Sequence, residues 1–153
     1  MKCLKLAITF VSLVASGCCL SQIPDPVDGT IHLLAQDSPF VVEEDLLIAE
    51  GETLQIDAGV TVHVAPGKQV LVFGNFLVNA PAETPVVFTV DVTSELYDAE
   101  NATSWAGIVV FRNETDFEVS GLALRNAGER NNGTEWFVEP ALWVEGAKDV
   151  TLR

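Results

Sequence analysis

Between residues 40 and 90 the chain alternates apolar and polar residues with a period of two, and the alternation itself repeats. Short runs follow one another: Leu46-Leu47-Ile48, Leu54-Gln55-Ile56, Val60-Thr61-Val62-His63-Val64, Val70-Leu71-Val72, Phe76-Leu77-Val78 and Val86-Val87-Phe88. Gly51, Gly59, Gly67 and Gly74 punctuate them. A period of two bounded by glycines marks strands and turns, and no stretch carries the 3.6-residue period of an amphipathic helix. Leu46 and Ile48 recur as Val70 and Val72, a step of 24, and Leu54 recurs as Leu77, a step of 23. Val62 and Val64 recur as Val86 and Phe88, again a step of 24. Three strands within each such step is the arithmetic of a β-solenoid coil. One coil cannot bury its inner face, so coils must stack in parallel. A β-sandwich has strands at similar spacing but does not require the three-strand repeat.

The expected fold is therefore all-β, a right-handed parallel β-helix of about three to four coils over residues 38–153. Leu54, Ile56, Val60, Val62, Val64, Val70, Val72, Leu77, Val86 and Phe88 are expected to line its interior. Residues 91–104, with Asp91, Glu95, Asp98 and Glu100, read as a polar loop off the coil. Strand character resumes at Trp105 to Phe111. Gly121 to Arg125 then resembles Asp149 to Arg153, a step of 28, with the extra length placed in a bulge from Glu129 to Trp136. The chain stops inside a strand, which suggests a fragment of a longer solenoid.

Residues 22–37 read as a polar lead-in, and residues 1–21 as a secretory signal peptide. Lys2 and Lys5 precede the apolar run Leu6 to Ala15, and small residues follow from Ser16 to Ser21. That run is too short for the ~20 residues of a membrane span. Ala15-Ser16-Gly17-Cys18 also resembles a bacterial lipobox, which would make Cys18 the lipidated residue. All three cysteines lie in this segment. The remainder would have no disulfide, and must rely on its apolar core and hydrogen-bond ladders. The expected location is extracellular or at the cell surface.

The chain carries 8 Lys+Arg against 22 Asp+Glu, a formal charge of -14. No basic surface for nucleic acid can be built from so few cations. The 48% apolar content is too high for a disordered acidic chain.

The series Ile56-Asp57-Ala58-Gly59-Val60-Thr61-Val62, Val70 to Phe76, Pro85-Val86-Val87-Phe88-Thr89 and Trp105-Ala106-Gly107-Ile108 resembles the opening coils of right-handed parallel β-helix proteins of the pectin-lyase-like class. Ser38 to Val42, leading into Leu46-Leu47-Ile48, fits the same series, whereas Pro81-Ala82 departs from the usual Gly-Thr. Within that class the stretch is similar to the ectodomain opening of the bark beetle (anakonda) family of animal epithelial junction proteins. Bacterial surface and secreted β-helix proteins share the same coils. The resemblance implies a cell-surface module for adhesion or junction assembly, with membrane attachment through a C-terminal part beyond Arg153 or, in a bacterial protein, through Cys18. Asn101-Ala102-Thr103, Asn113-Glu114-Thr115 and Asn132-Gly133-Thr134 are glycosylation acceptors. Chance would give roughly one such triplet in this composition, so three favour a eukaryotic secretory protein. Asn132 is expected to be the most exposed of the three.

Enzymes of this class impose a test. A glycosidase needs two facing carboxylates, and the acids here are Glu43-Glu44-Asp45 and scattered singles. The adjacent aspartates and Gly-His-Gly of polygalacturonases do not occur. Arg112 and Arg125 have no aspartate at a matching coil position, as pectate lyases would require. His63 should point outward between Val62 and Val64, and His32 precedes the expected strands. Two separated histidines do not make a transition-metal site, and no calcium loop is present. Trp105, Trp136 and Trp143 could form a sugar-stacking platform, but core or loop-base positions are the commoner use. The expectation is a non-enzymatic module without catalytic residue, cofactor or metal, binding an extracellular protein or glycan. The alternative is a bacterial secreted protein or lipoprotein that binds or cleaves polysaccharide.

Overall fold

A computed structural model describes residues 20–100, 103–111, 117–131, 136–138, 141–144 and 150–152, with the side chains of 117, 129–131, 136–138 and 150–152 not described. Three parallel sheets wind as a β-solenoid of about four coils. Sheet A stacks β1 (Ser21–Gln22), β3 (Phe40–Val42), β6 (Thr61–Val64), β9 (Val86–Val90) and β12 (Leu122–Leu124). Sheet B stacks β2 (Thr30–Leu33), β5 (Thr53–Ile56), β8 (Asn75–Asn79), β11 (Phe117–Ser120) and β16 (Val150–Leu152). Sheet C stacks β4 (Leu46–Ile48), β7 (Gln69–Val72), β10 (Gly107–Val110) and β15 (Leu142–Val144). The one antiparallel pair between described strands is β13 (Glu129–Asn131) with β14 (Trp136–Val138), set aside from the coil.

Alternation puts every second side chain inside. Leu54, Ile56, Val60, Val62, Val64, Val70, Val72, Val86 and Phe88 are all at most 2% exposed. Leu77 is a correction. Phe76, not Leu77, stacks on Leu54, so Phe76 is fully buried and Leu77 stands outside against Gln55. Leu46 pairs with Val70, as the repeat requires. Val62 and Val64, however, pair with Phe88 and Val90, one alternation beyond the expected partners.

The glycines act at the corners. Gly51, Gly59 and Gly67 have φ of +81°, +82° and +73°, where side-chain-bearing residues are strained. Gly74 is needed for space: a Cβ there would lie 2.2 Å from the Glu52 carbonyl oxygen. At Pro81, where the resemblance fails, a tight turn closes from the Thr84 N–H to the Pro81 carbonyl at 3.1 Å.

Pairing starts earlier than expected. The 22–37 stretch contains β2, whose Ile31 and Leu33 are buried on Leu54 and Ile56. At the other end Leu122 pairs with Val86 in sheet A, whereas Val150 pairs with Phe117 in sheet B. The sequence match between Gly121–Arg125 and Asp149–Arg153 is therefore not a coil step. The true steps there are longer, from Ile108 to Leu142 and from Phe117 to Val150, because the β13–β14 pair is inserted.

Candidate functional site

With the interior filled by apolar side chains, chemistry is confined to the outer faces, and the three sheets present different ones. On sheet B the outward row is His32, Gln55, Leu77 and Glu118. His32 Nε2 lies 2.8 Å from an Asp57 oxygen, with both side chains 41% exposed. The next row has Asn79 and Ser120, whose hydroxyl donates to Asn79 Oδ1 at 3.1 Å. An open groove of about 270 Å³ runs here, with Gln55, Asp57, Asn79 and Glu118 set among the apolar Ile56, Ala58, Leu77 and Val78. Its lining is mixed, with hydrogen-bonding groups beside apolar surface.

On sheet A the outward row is Gln22, Val41, His63 and Thr89. His63 points outward as expected, and its Nδ1 is shielded without a partner. The loop after β9 stands beside this face, where Val41, Glu43, Asp91 and Leu96 border a hollow of about 470 Å³. Asp91 is buried, and its carboxylate accepts the Thr93 N–H at 2.9 Å and the Thr93 hydroxyl at 2.7 Å. The polar loop is thus anchored by its first residue.

Sheet C differs. Its outward row is Leu47, Leu71, Val109 and Trp143, in register across four strands. Leu47 is 54% exposed and Trp143 51%. Just past the strand ends Phe73 and Phe111 stack with ring centroids 4.6 Å apart. Side chains in one row of a parallel sheet are about 4.8 Å apart, so the row is about 14 Å long. An aligned apolar row on an outer face is the usual mark of an interaction surface. Carboxylates stand near its Leu47 end, where Glu44 and Asp45 precede β4 and Glu52 follows it. Lys68 pairs with Glu44, and that hydrogen bond raises the Lys68 pKa above 10.5, with burial opposing and the charges of Glu44 and Asp45 assisting. Asp45 accepts the Gln69 N–H at 3.2 Å and Glu52 that of Ala49 at 2.9 Å.

The tryptophans separate. Trp105 is fully buried against Phe88, and its indole N–H donates to the Arg125 carbonyl at 2.8 Å. Trp105 thus takes the core position expected as the commoner use, Trp143 is half exposed on sheet C, and the side chain of Trp136 is outside the described set. Asn101, Asn113, Asn132, Arg112 and Cys18 lie outside the described residues, as does most of the expected signal segment. Among the described residues no three His, Cys, Asp or Glu side chains are grouped to hold a metal. The apolar row escaped sequence reading although its members were visible in Leu46-Leu47-Ile48 and Val70-Leu71-Val72. Runs without a polar alternate residue are the signal of a strand that is apolar on both faces. Comparison with protein-family models, curated proteins and solved structures gives no match.

Proposed function

We propose that the chain is a non-enzymatic β-solenoid module of a secreted or cell-surface protein, acting in adhesion or cell-junction assembly through its outer faces. The observation that carries this reading is the aligned apolar row of sheet C, Leu47–Leu71–Val109–Trp143. A solenoid is stabilised chiefly by its interior, and an apolar row outside it, beyond what its cross-strand contacts cover, exposes apolar area to water. A binding partner accounts for that exposure. The signal-like N-terminus and the sequons at Asn101, Asn113 and Asn132 support an extracellular location, as does the resemblance to junction ectodomains.

The test is expression of the chain in animal cells. The protein should enter the medium, lose mass on glycosidase treatment, and, on beads, attach to epithelial cells. Leu47→Ser with Trp143→Ser should abolish attachment and leave secretion unchanged. Retention inside the cell, or attachment indifferent to that pair, contradicts the proposal. A second reading, polysaccharide binding by a bacterial protein, is favoured by the groove on sheet B, whose mixed polar and apolar lining suits a sugar. It expects oligosaccharide binding that Asn79→Ala and Gln55→Ala weaken.

A further inference from the structure

We infer that the hollow beside sheet A is a binding site for an organic cation, an ammonium or guanidinium group carried on an alkyl stem as in Lys or Arg. The site lies apart from the sheet C row and does not rest on the adhesion reading. The hollow, of about 470 Å³, opens between the outer face of β1 and β3 and the loop that follows β9. Leu20, Val41 and Leu96 give it apolar walls, and Glu43, Asp91 and Glu95 bring three carboxylates. Among the described residues no Lys, Arg or His lines it.

Asp91 is only 5% exposed, so the chain buries almost all of a group that favours water. Thr93 satisfies one of its oxygens, with its N–H and its hydroxyl both donating to Oδ1. Oδ2 accepts no hydrogen bond from any described residue, and the exposed remnant of the side chain lies in the hollow. Glu43 and Glu95 are exposed at the rim, with no ion-pair partner among the described residues. The described cations are placed elsewhere: Lys68 is held by Glu44, and Arg125 follows β12, three strands from β3 in sheet A. Water can fill such a hollow, but it leaves three carboxylates without a counter-charge. An ammonium or guanidinium supplies a charge-assisted donor, and its alkyl stem covers the apolar walls. A metal ion fits less well, because no three of the described carboxylates are grouped around one point and apolar walls offer it no ligand.

The probes are butylguanidinium, the bare side chain of arginine, and the tripeptide acetyl-Gly-Arg-Gly-amide, each titrated into the full chain with amide chemical shifts as the readout. Millimolar binding is expected, with shifts concentrated at residues 41–43 and 91–96. Butylurea, of the same shape without the charge, should bind at least ~10-fold more weakly. Asp91→Asn keeps the oxygen that Thr93 needs and removes the charge, and should weaken binding ~10-fold. Glu43→Gln and Glu95→Gln, on exposed side chains, should each weaken it ~2- to 5-fold, the range of exposed ion pairs. Glu83→Gln, in the turn after Pro81, should change nothing. Equal binding of butylurea overturns the inference. So does affinity indifferent to Asp91→Asn and to both Glu variants, or calcium chloride that binds these residues more tightly than butylguanidinium. Tighter binding by the tripeptide upholds the site and places the cation on a partner polypeptide. Weaker binding by the tripeptide upholds it as a site for a small free amine or guanidine. No sheet C residue takes part, so failure here leaves the adhesion reading standing.

Discussion

Phe76 is sealed inside the coil and Leu77 beside it faces outward, so the two should respond differently to truncation. Phe76→Ala should cost about 3–5 kcal/mol in urea unfolding, the range for a large buried aromatic. Leu77→Ala should cost less than about 1 kcal/mol, since its side chain stacks on Gln55 at a partly open surface. The alternation that marks Phe76 is in the sequence, because Asn75 and Asn79 flank Phe76 and Val78 at the polar phase. Matching Leu54 to Leu77 instead of to its true partner Phe76 selects the wrong phase, and a one-residue error turns every side chain over. Lys68 offers a second test. Its pKa is raised by Glu44, so the pair's stabilisation is fully present below 10.5 and is lost as pH rises through the higher folded value. Glu44→Gln should bring the Lys68 titration, followed by NMR at the side-chain methylene, down toward 10.5.

At the scale of elements, the corners separate two reasons for glycine. Gly59 needs only its positive φ, with nothing within 4 Å of a built Cβ, so Gly59→Ala should cost about 1 kcal/mol. At Gly74 the obstacles are the carbonyl oxygens of Glu52 and Ala49, 2.2 and 2.4 Å from that Cβ. Backbone cannot move aside without opening the corner where Gly74 N–H reaches the Ile48 carbonyl. Gly74→Ala should cost about 3 kcal/mol, at the upper end of overpacking, and paired thermal melts would check the order. The strands themselves are legible from their period, but their pairing is less so. Val62 opposite Val86 and Val62 opposite Phe88 put the same residues inside, because a shift of two preserves the face. Turn length decides between them, and the turn at Pro81 to Thr84 is where the resemblance ceases to guide. β2 escapes sequence reading because its few strand residues, set among Asp25, Asp28, Gln36 and Asp37, show too short a period to recognise.

Across the whole molecule, the inner faces make one continuous apolar column from Ile31 and Leu33 through Leu54 and Phe76 to Val119. Function falls to what points outward, where sequence pattern is least informative, since solvent accepts both polar and apolar residues. The row on sheet C becomes visible only when the register brings Leu47, Leu71, Val109 and Trp143 together from distant parts of the chain. The adhesion proposal depends on that register. It is tested most directly by cross-strand amide-to-α-proton NOEs in isotope-labelled protein. Parallel contacts should link β4 to β7 with Leu47 level with Leu71, and β7 to β10 with Leu71 level with Val109. Antiparallel contacts within residues 46–110, or parallel contacts shifted so that Leu71 lies level with Ile48 or Ile108, would contradict the solenoid and the outer row with it.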